Sequence, residues 1–295
     1  MRNRVTNLIN IAKKNFISDS IGGSSSSKIL WKKLKNVGVY NSSRHNDQFN
    51  NSADDINNAF ASSFTVDNSS LPVPPINEYG FMFSNVTVEQ IFLAMNSIKS
   101  DAVGLDHIPL SFLKAVFPFL SECFCYVFNL CINSGKFPKS WKFVKVIPVR
   151  KKPHNSDITN LRPISILCAL SKVFEKLLKT QILDFIQHHG YLSDFQSGFR
   201  SGHNTTTAFL KIHDDIHKVV DKRGIALLLL IDFSKAFDRI SHNKLLLKLS
   251  HNFSFSRSAI KLIRSYLTNR MQCVSIDEHL SQSINIVSGV PQAVA

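Results

Sequence analysis

Acidic residues are few in this chain: 21 Asp and Glu stand against 35 Lys and Arg over 295 residues, a formal net charge of +14. Long apolar runs are missing too. The longest is seven residues, Ile225 to Ile231, far short of the ~18 that read as a bilayer span, so no membrane partner is expected. The N-terminal stretch MRNRVTNLINIAKKNF lacks the unbroken apolar region and cleavage site of a secretory signal. Cysteine is sparse, five residues without CxxC spacing. That pattern argues against a disulfide framework or a zinc site and suits reduced core thiols in an intracellular protein. What is abundant is apolar surface: 44% of the residues, 23 of them phenylalanine, enough for a core and against wholesale disorder.

The positive charge is blocked along the chain. Residues 1–50 carry nine Lys/Arg against two acids, 51–110 one against seven, 111–180 twelve against three, and 181–295 thirteen against nine. Two basic blocks flanking an acidic one suit a surface that meets phosphate backbones, with generic solubility as the plainer alternative.

Residues 1–83 read as a basic helical leader with a GGSSSS joint (Gly22 to Ser27) and a Pro-rich linker (Asn68 to Gly80). A helical segment, 84–134, follows, and 135–295 form the main domain. Thr87 and Gln90 make a capping-box pattern ahead of Ile91, Ala94, Met95 and Ile98 on one helical face. Ser171 to Gly190 reads as an amphipathic helix. A second one starts near Thr205, with Phe209, Ile212, Ile216, Val219 and Val220 facing inward and Gly224 closing it. Ile225 to Phe233 is then expected as a strand buried on both faces. Helices near 242–250 and 256–268 and a hairpin of MQCVSID with QSINIV complete a mixed α/β (α+β) chain.

That apolar run delivers Asp232 at its end. A carboxylate held by a stiff strand suits a metal ligand, since divalent cations need well-fixed oxygens. The alternative is an Asx-type cap of the turn SKAFD.

The wider pattern bears on the choice. LIDFSKAFDRI (residues 230–240) resembles the first catalytic motif of reverse transcriptases, in the form carried by non-LTR (LINE-like) retrotransposons. GLDHIPLSFLK (104–114) is similar to the upstream Gly-x-Asp-x-Ile-Pro element of that family. GKFPKSWKFVKVIPVRKKP (135–153) and DITNLRPISILCALSKVFEKLL (157–178) resemble its fingers, FQSGFRSGHNTTTA (195–208) its Gln-x-Gly-Phe-Arg element, and SGVPQ (288–292) the start of its Gly-x-Pro-Gln motif. The motifs keep the family's order over roughly residues 84–295.

The resemblance implies a right-hand polymerase, with fingers and an incomplete palm, that copies RNA by adding deoxynucleotides to a DNA primer with Mg²⁺ or Mn²⁺. Asp232 matches the catalytic aspartate, and the Phe233 carbonyl would be a second metal ligand. Phe237 matches the residue beneath the incoming sugar, or is a core aromatic. Arg162 matches the arginine that holds the triphosphate. Arg150, Lys151 and Lys152 could assist it, or form a solvated loop. Gln196, Gly198, Phe199 and Arg200 match the element near the template, and Gln292 matches the residue supporting nucleotide and template. Asp238 is expected to orient its turn rather than bind metal.

Beyond Gln292 the family continues with glycine. Here Ala293 follows and the chain stops at residue 295. The expectation is therefore a fragment, ending before the second catalytic carboxylate motif and the thumb, without a complete active site. The paired acids Asp54–Asp55 and Asp214–Asp215 lie in helical patterns upstream of Asp232 and are read as solvated faces. The alternative function is a non-enzymatic RNA- or DNA-binding remnant. The expected location is intracellular, nuclear or cytoplasmic.

Overall fold

The computed structural model describes residues 49–64, 80–151, 157–277 and 279–292, together with Asn15. The chain divides into two units, Met1–Asn50 and Asn51–Ala295, and nearly all described residues belong to the second. The Gly22–Ser27 joint and most of the Pro-rich linker lie outside the described residues. Within the stretch read as a leader, helix α1 (Ala53–Ala61) is part of the second unit.

Helix α2 (Val88–Ser97) starts at the expected capping box: Thr87 Oγ1 accepts from Gln90 N, and Gln90 reaches back to Thr87 N. Helix α3 (Leu110–Ser134) closes on Gly135 in the left-handed region. It is also long and apolar enough to cross a membrane, with a mean hydropathy of 1.7 over its best window. The unbroken-run criterion does not register it, because polar residues punctuate the helix. Its Leu113, Phe117, Phe128 and Ile132 belong to the main core, while Phe112, Phe119 and Tyr126 are exposed. Helix α4 (Ala169–His188) has Cys168 at its N-cap position, three residues before the Ser171 expected there and without a side-chain cap bond, and Ser171 turns inward so that its Oγ donates to Glu175 Oε1 at 2.8 Å.

The core sits among α2, α3 and α4. Phe128 stacks on Phe174 at 5.2 Å between ring centroids, and Trp141 and Phe137 close on them edge-to-face or tilted at 5.7 to 5.9 Å. Cys131, Cys168 and Cys273 are buried free thiols, as expected, whereas Cys123 is exposed. Burial pushes the Cys168 thiol up to about 11.

Strand β1 (Phe143–Arg150) pairs antiparallel with β2 (Leu161–Ile166) and parallel with β3 (Arg270–Ile276). The expected hairpin is present: β5 (Ile284–Ile286) pairs antiparallel with β3, Arg270 opposite Ile286, while β4 (His279–Leu280) pairs with the end of β3. Helices α6 (His242–Asn252) and α7 (Arg257–Leu267) pack on each other and match the expected pair. With α4 they leave an apolar groove of about 520 Å³, lined by Leu178, Ile182, Leu245, Ile263, Tyr266 and Val290 among others.

Two expectations are corrected. Helix α5 (Thr205–Asp221) forms under an Asn204 capping box, but none of its residues is buried. Phe209 is 61% exposed, so the expected inward face looks into solvent. Residues 225–233 form no strand, and Leu227 is 95% and Leu230 80% exposed. The physical reason is that a strand needs neighbours for its backbone groups and cover for its faces. Among the described residues no strand pairs with 225–231.

Candidate functional site

Gln292 lies on the free edge of β2, where its carbonyl accepts from Ser165 N at 2.9 Å. The next segment outward is 237–240, since Val290 N donates to Phe237 O at 3.0 Å and Gly289 N to Ile240 O at 2.8 Å. Gly289, at φ +81°, is required there: a Cβ would sit 2.8 Å from the Asp238 Cα and carbonyl oxygen and from Phe237 O. Ser288 Oγ donates to Asp238 O at 3.0 Å, and the Gly289 carbonyl faces His242 Nε2 at 2.7 Å.

The side chains follow the backbone. Gln292 Nε2 donates to Asp238 Oδ1 at 3.0 Å. Burial raises the Asp238 carboxyl above its ordinary value, opposed by the Gln292 hydrogen bond and by the positive charges of Lys235 and Lys151. Lys151, at the end of the β1–β2 hairpin, thus acts electrostatically on the 237–240 turn. The Asp238 carboxylate thus holds Gln292, while its turn is closed by backbone bonds from Asp238 N and Arg239 N to Lys235 O. A small cavity of about 30 Å³ lies here, lined by Phe60, Pro163, Asp238, Gln272, Ser288 and Gln292 among others.

The 195–208 element reaches the same place through Phe199. Phe199, at φ +59° and 91% exposed, meets Phe237 edge-to-face at 6.1 Å between centroids. Phe237 is itself 42% exposed, so it is not a core aromatic in this structure. Gln196 and Arg200 are held locally: Gln196 Nε2 donates to Gly198 O at 3.2 Å, and Arg200 Nη1 to Ser193 O at 3.0 Å. A Cβ on Gly198 would meet nothing within 4 Å, so packing does not require glycine there.

Arg162 is exposed on β2 opposite Val149. Lys151 is tied down, its N donating to Asn160 O at 2.7 Å and its Nζ to Thr159 O at 2.9 Å. Lys152 and Ala293 lie outside the described residues. Upstream, Gly104 lies against the start of α4, where a Cβ would stand 2.9 Å from Cys168 Cα and N. That close approach accounts for the glycine of GLDHIP.

Among the described residues no hydrogen bond ties the Asp232 side chain to this assembly. Both Asp232 and Phe233 are exposed. Among the described residues no three His, Cys, Asp or Glu side chains group to hold a metal ion. A hard divalent cation takes about six oxygens, so one carboxylate and one carbonyl do not by themselves fit it. Among the described residues the Asp232 side chain accepts no capping bond, and the hydrogen bonds of its turn run from Asp238 N and Arg239 N to Lys235 O.

Several supporting residues carry no sequence signal. Asn57 of α1 is fully buried, donating from Nδ2 to Ser281 Oγ (2.9 Å) and Gln282 O (2.8 Å) and accepting from Gln272 Nε2 (2.9 Å). Lys235 Nζ donates to Ser63 Oγ. The Asn57 bonds fix α1 against the hairpin, and the Lys235 bond ties the segment before the 237–240 turn to Ser63 just past α1, across sequence separations that no local pattern could announce.

The model for the family described as reverse transcriptase (RNA-dependent DNA polymerase) matches residues 149–294. The chain is 30% identical over 226 residues to the "Probable RNA-directed DNA polymerase from transposon BS" of Drosophila melanogaster, covering 76% of this chain and 24% of that protein. It is 32% identical over 168 residues to the "Probable RNA-directed DNA polymerase from transposon X-element" and 30% over 167 to the "RNA-directed DNA polymerase from mobile element jockey", both of the same species. Each of those two alignments covers 56% of this chain and 18% of the relative. The chain thus spans a quarter or less of the length of these relatives.

Proposed function

The chain belongs to the reverse transcriptase family, in the form carried by non-LTR, LINE-like retrotransposons, and from that membership we propose that it supplies fingers and part of the palm of an RNA-directed DNA polymerase. The observation that carries this reading is the meeting of three distant motifs. Phe199 touches Phe237, Phe237 O accepts from Val290 N, and Gln292 is held by Asp238.

In this reading the primer 3′-hydroxyl attacks the α-phosphate of a deoxynucleotide and pyrophosphate leaves. Arg162, Lys151 and Lys152 grip the triphosphate, the guanidinium offering a planar fork and the lysines point charges. Phe237 lies beneath the sugar, and its ring, braced by Phe199, excludes a 2′-hydroxyl by bulk. Gln292, oriented by Asp238, supports the templating pair. Gln196, Gly198, Phe199 and Arg200 border the template strand, with the exposed Phe199 ring available for base stacking. Asp232 is one carboxylate of a divalent-metal site, for Mg²⁺ or Mn²⁺. Its other oxygens would come from phosphates and from groups outside those described. The partners are an RNA template, a DNA primer and deoxynucleotide triphosphates, met in the nucleus or cytoplasm.

Primer extension on an RNA template tests this, using the chain and a longer form of it. Asp232→Ala should abolish extension while leaving RNA affinity nearly unchanged. Extension that survives the change would remove Asp232 from the metal site. Replacing Phe237 by a small residue should admit ribonucleotides, and unaltered sugar selectivity would count against its role.

A second reading rests on the net charge of +14 and on there being, among the described residues, no group of three His, Cys, Asp or Glu side chains able to hold a metal ion: residues 1–295 bind RNA or DNA without chemistry. Salt-sensitive binding with no extension by this chain would favour it.

A further inference from the structure

We propose that His213 and His217 form a bidentate site for a late first-row transition-metal ion, such as Zn²⁺, Ni²⁺ or Cu²⁺. The two residues are one helical turn apart on α5, and their Nε2 atoms converge to 3.1 Å with ring centroids 4.3 Å apart. An imidazole nitrogen binds Zn²⁺ at about 2.0–2.1 Å. Two nitrogens 3.1 Å apart then subtend an angle of roughly 100° at the metal, between the square-planar and tetrahedral values. A small ring rotation therefore accommodates either geometry.

The rest of the helix makes this pair distinctive. Two other polar pairs share its four-residue spacing, Lys211–Asp215 at 3.1 Å and Lys218–Asp214, and both are ion pairs. They occupy the neighbouring charges and hold the helix on both sides of the histidines. The two Nε2 atoms face each other, either one able to donate depending on the tautomer, and His213 also acts electrostatically on Asp214. On metal binding the bridging proton moves to the Nδ1 of its own ring through solvent, and both Nε2 lone pairs turn to the ion. No residue of α5 is buried, and both histidines are exposed. An ion therefore reaches the pair without unfolding anything, and water fills its remaining positions.

The donor set selects the metal. Imidazole nitrogens suit Zn²⁺, Ni²⁺ and Cu²⁺, with Cu²⁺ the tightest, whereas Mg²⁺ prefers oxygens. The site is therefore chemically distinct from any that Asp232 serves, and it stands whether or not the polymerase reading holds.

Isothermal titration of the untagged 295-residue chain with Zn²⁺ alone, and separately with Cu²⁺ alone, provides the test. Millimolar Mg²⁺ is present throughout as a competitor. The expected result is a site of one equivalent, tighter for Cu²⁺ than for Zn²⁺, that loses tenfold or more in affinity with either His213→Ala or His217→Ala. The adjacent His188 and His189 at the end of α4 are the control pair, and replacing both with alanine should leave binding unchanged. Electron paramagnetic resonance of the Cu²⁺ complex should show two equivalent nitrogens, falling to one in either single variant. Unchanged affinity in His217→Ala, or loss that follows only the His188/His189 double variant, would overturn the assignment.

Discussion

Replacing Gly289 by alanine should be the most damaging one-methyl change in the contact between residues 237–240 and 288–292. Its φ of +81° costs a residue with a Cβ roughly 1–2 kcal/mol. The added methyl would also lie 2.8 Å from Asp238 Cα, Asp238 O and Phe237 O, all backbone atoms that cannot swing aside. The segments must part, weakening Gly289 N–Ile240 O (2.8 Å) and Val290 N–Phe237 O (3.0 Å), each contributing about 0.5–1.5 kcal/mol. Strain and lost bonds together reach on the order of 2–5 kcal/mol. Three other glycines separate the two causes. Gly202 has φ +77° with open space, so alanine there should cost the conformational part alone. Gly104 has the clash without the positive φ, and Gly198 has neither, so Gly198→Ala should be within about 0.5 kcal/mol of neutral. Urea denaturation ranks the four variants, and hydrogen exchange reads the Gly289 and Val290 amides directly. If Gly289→Ala is no worse than Gly202→Ala and both amides stay protected, the close approach of the two segments is wrong.

Removing the Gln292 amide should raise the Asp238 carboxyl further, because that hydrogen bond opposes the effect of burial. The folded state already favours the protonated acid. This share of stability is therefore complete below about pH 4 and is lost as pH rises through the elevated folded value. A carbon-detected titration of the carboxyl that does not move upward in Gln292→Ala would refute the coupling. Glu175 accepts from Ser171 Oγ at 2.8 Å and Tyr266 OH at 3.2 Å beside the buried Arg270, whose Nε and Nη2 have no partner among the described residues. Glu175→Ala should cost on the order of 2–4 kcal/mol in chemical denaturation, with Glu175→Gln costing about half of that. A loss below about 1 kcal/mol in the alanine variant would mean that Arg270 does not depend on this carboxylate. Leu229→Lys places a charge in the exposed run 225–231, where Leu229 is 78% exposed. It should cut apolar-dye binding and aggregation several-fold with little change in stability, and unchanged dye binding would show that the run is covered in solution.

Much of the architecture was legible in local pattern. The capping box at Thr87, the helices at 88–97, 169–188, 242–252 and 257–267, and the β3–β5 hairpin all follow from periodicity, caps and turns. So did the order of the motifs, because each is a short run of residue types. The same pattern misjudged α5 and residues 225–233. An apolar face states that a segment can be buried, not that a surface is present to bury it, and here both lie open. The sequence by itself determined most of the helices, the capping box and the β3–β5 hairpin, since these depend on chemistry within a few neighbouring positions. Only the tertiary structure decided that Gln292 pairs with Asp238, that Phe199 reaches Phe237, and that Asn57 locks α1 to the hairpin. Those outcomes depend on chain closure over 38 to 224 residues, and the packing that closes such loops is a property of the whole fold.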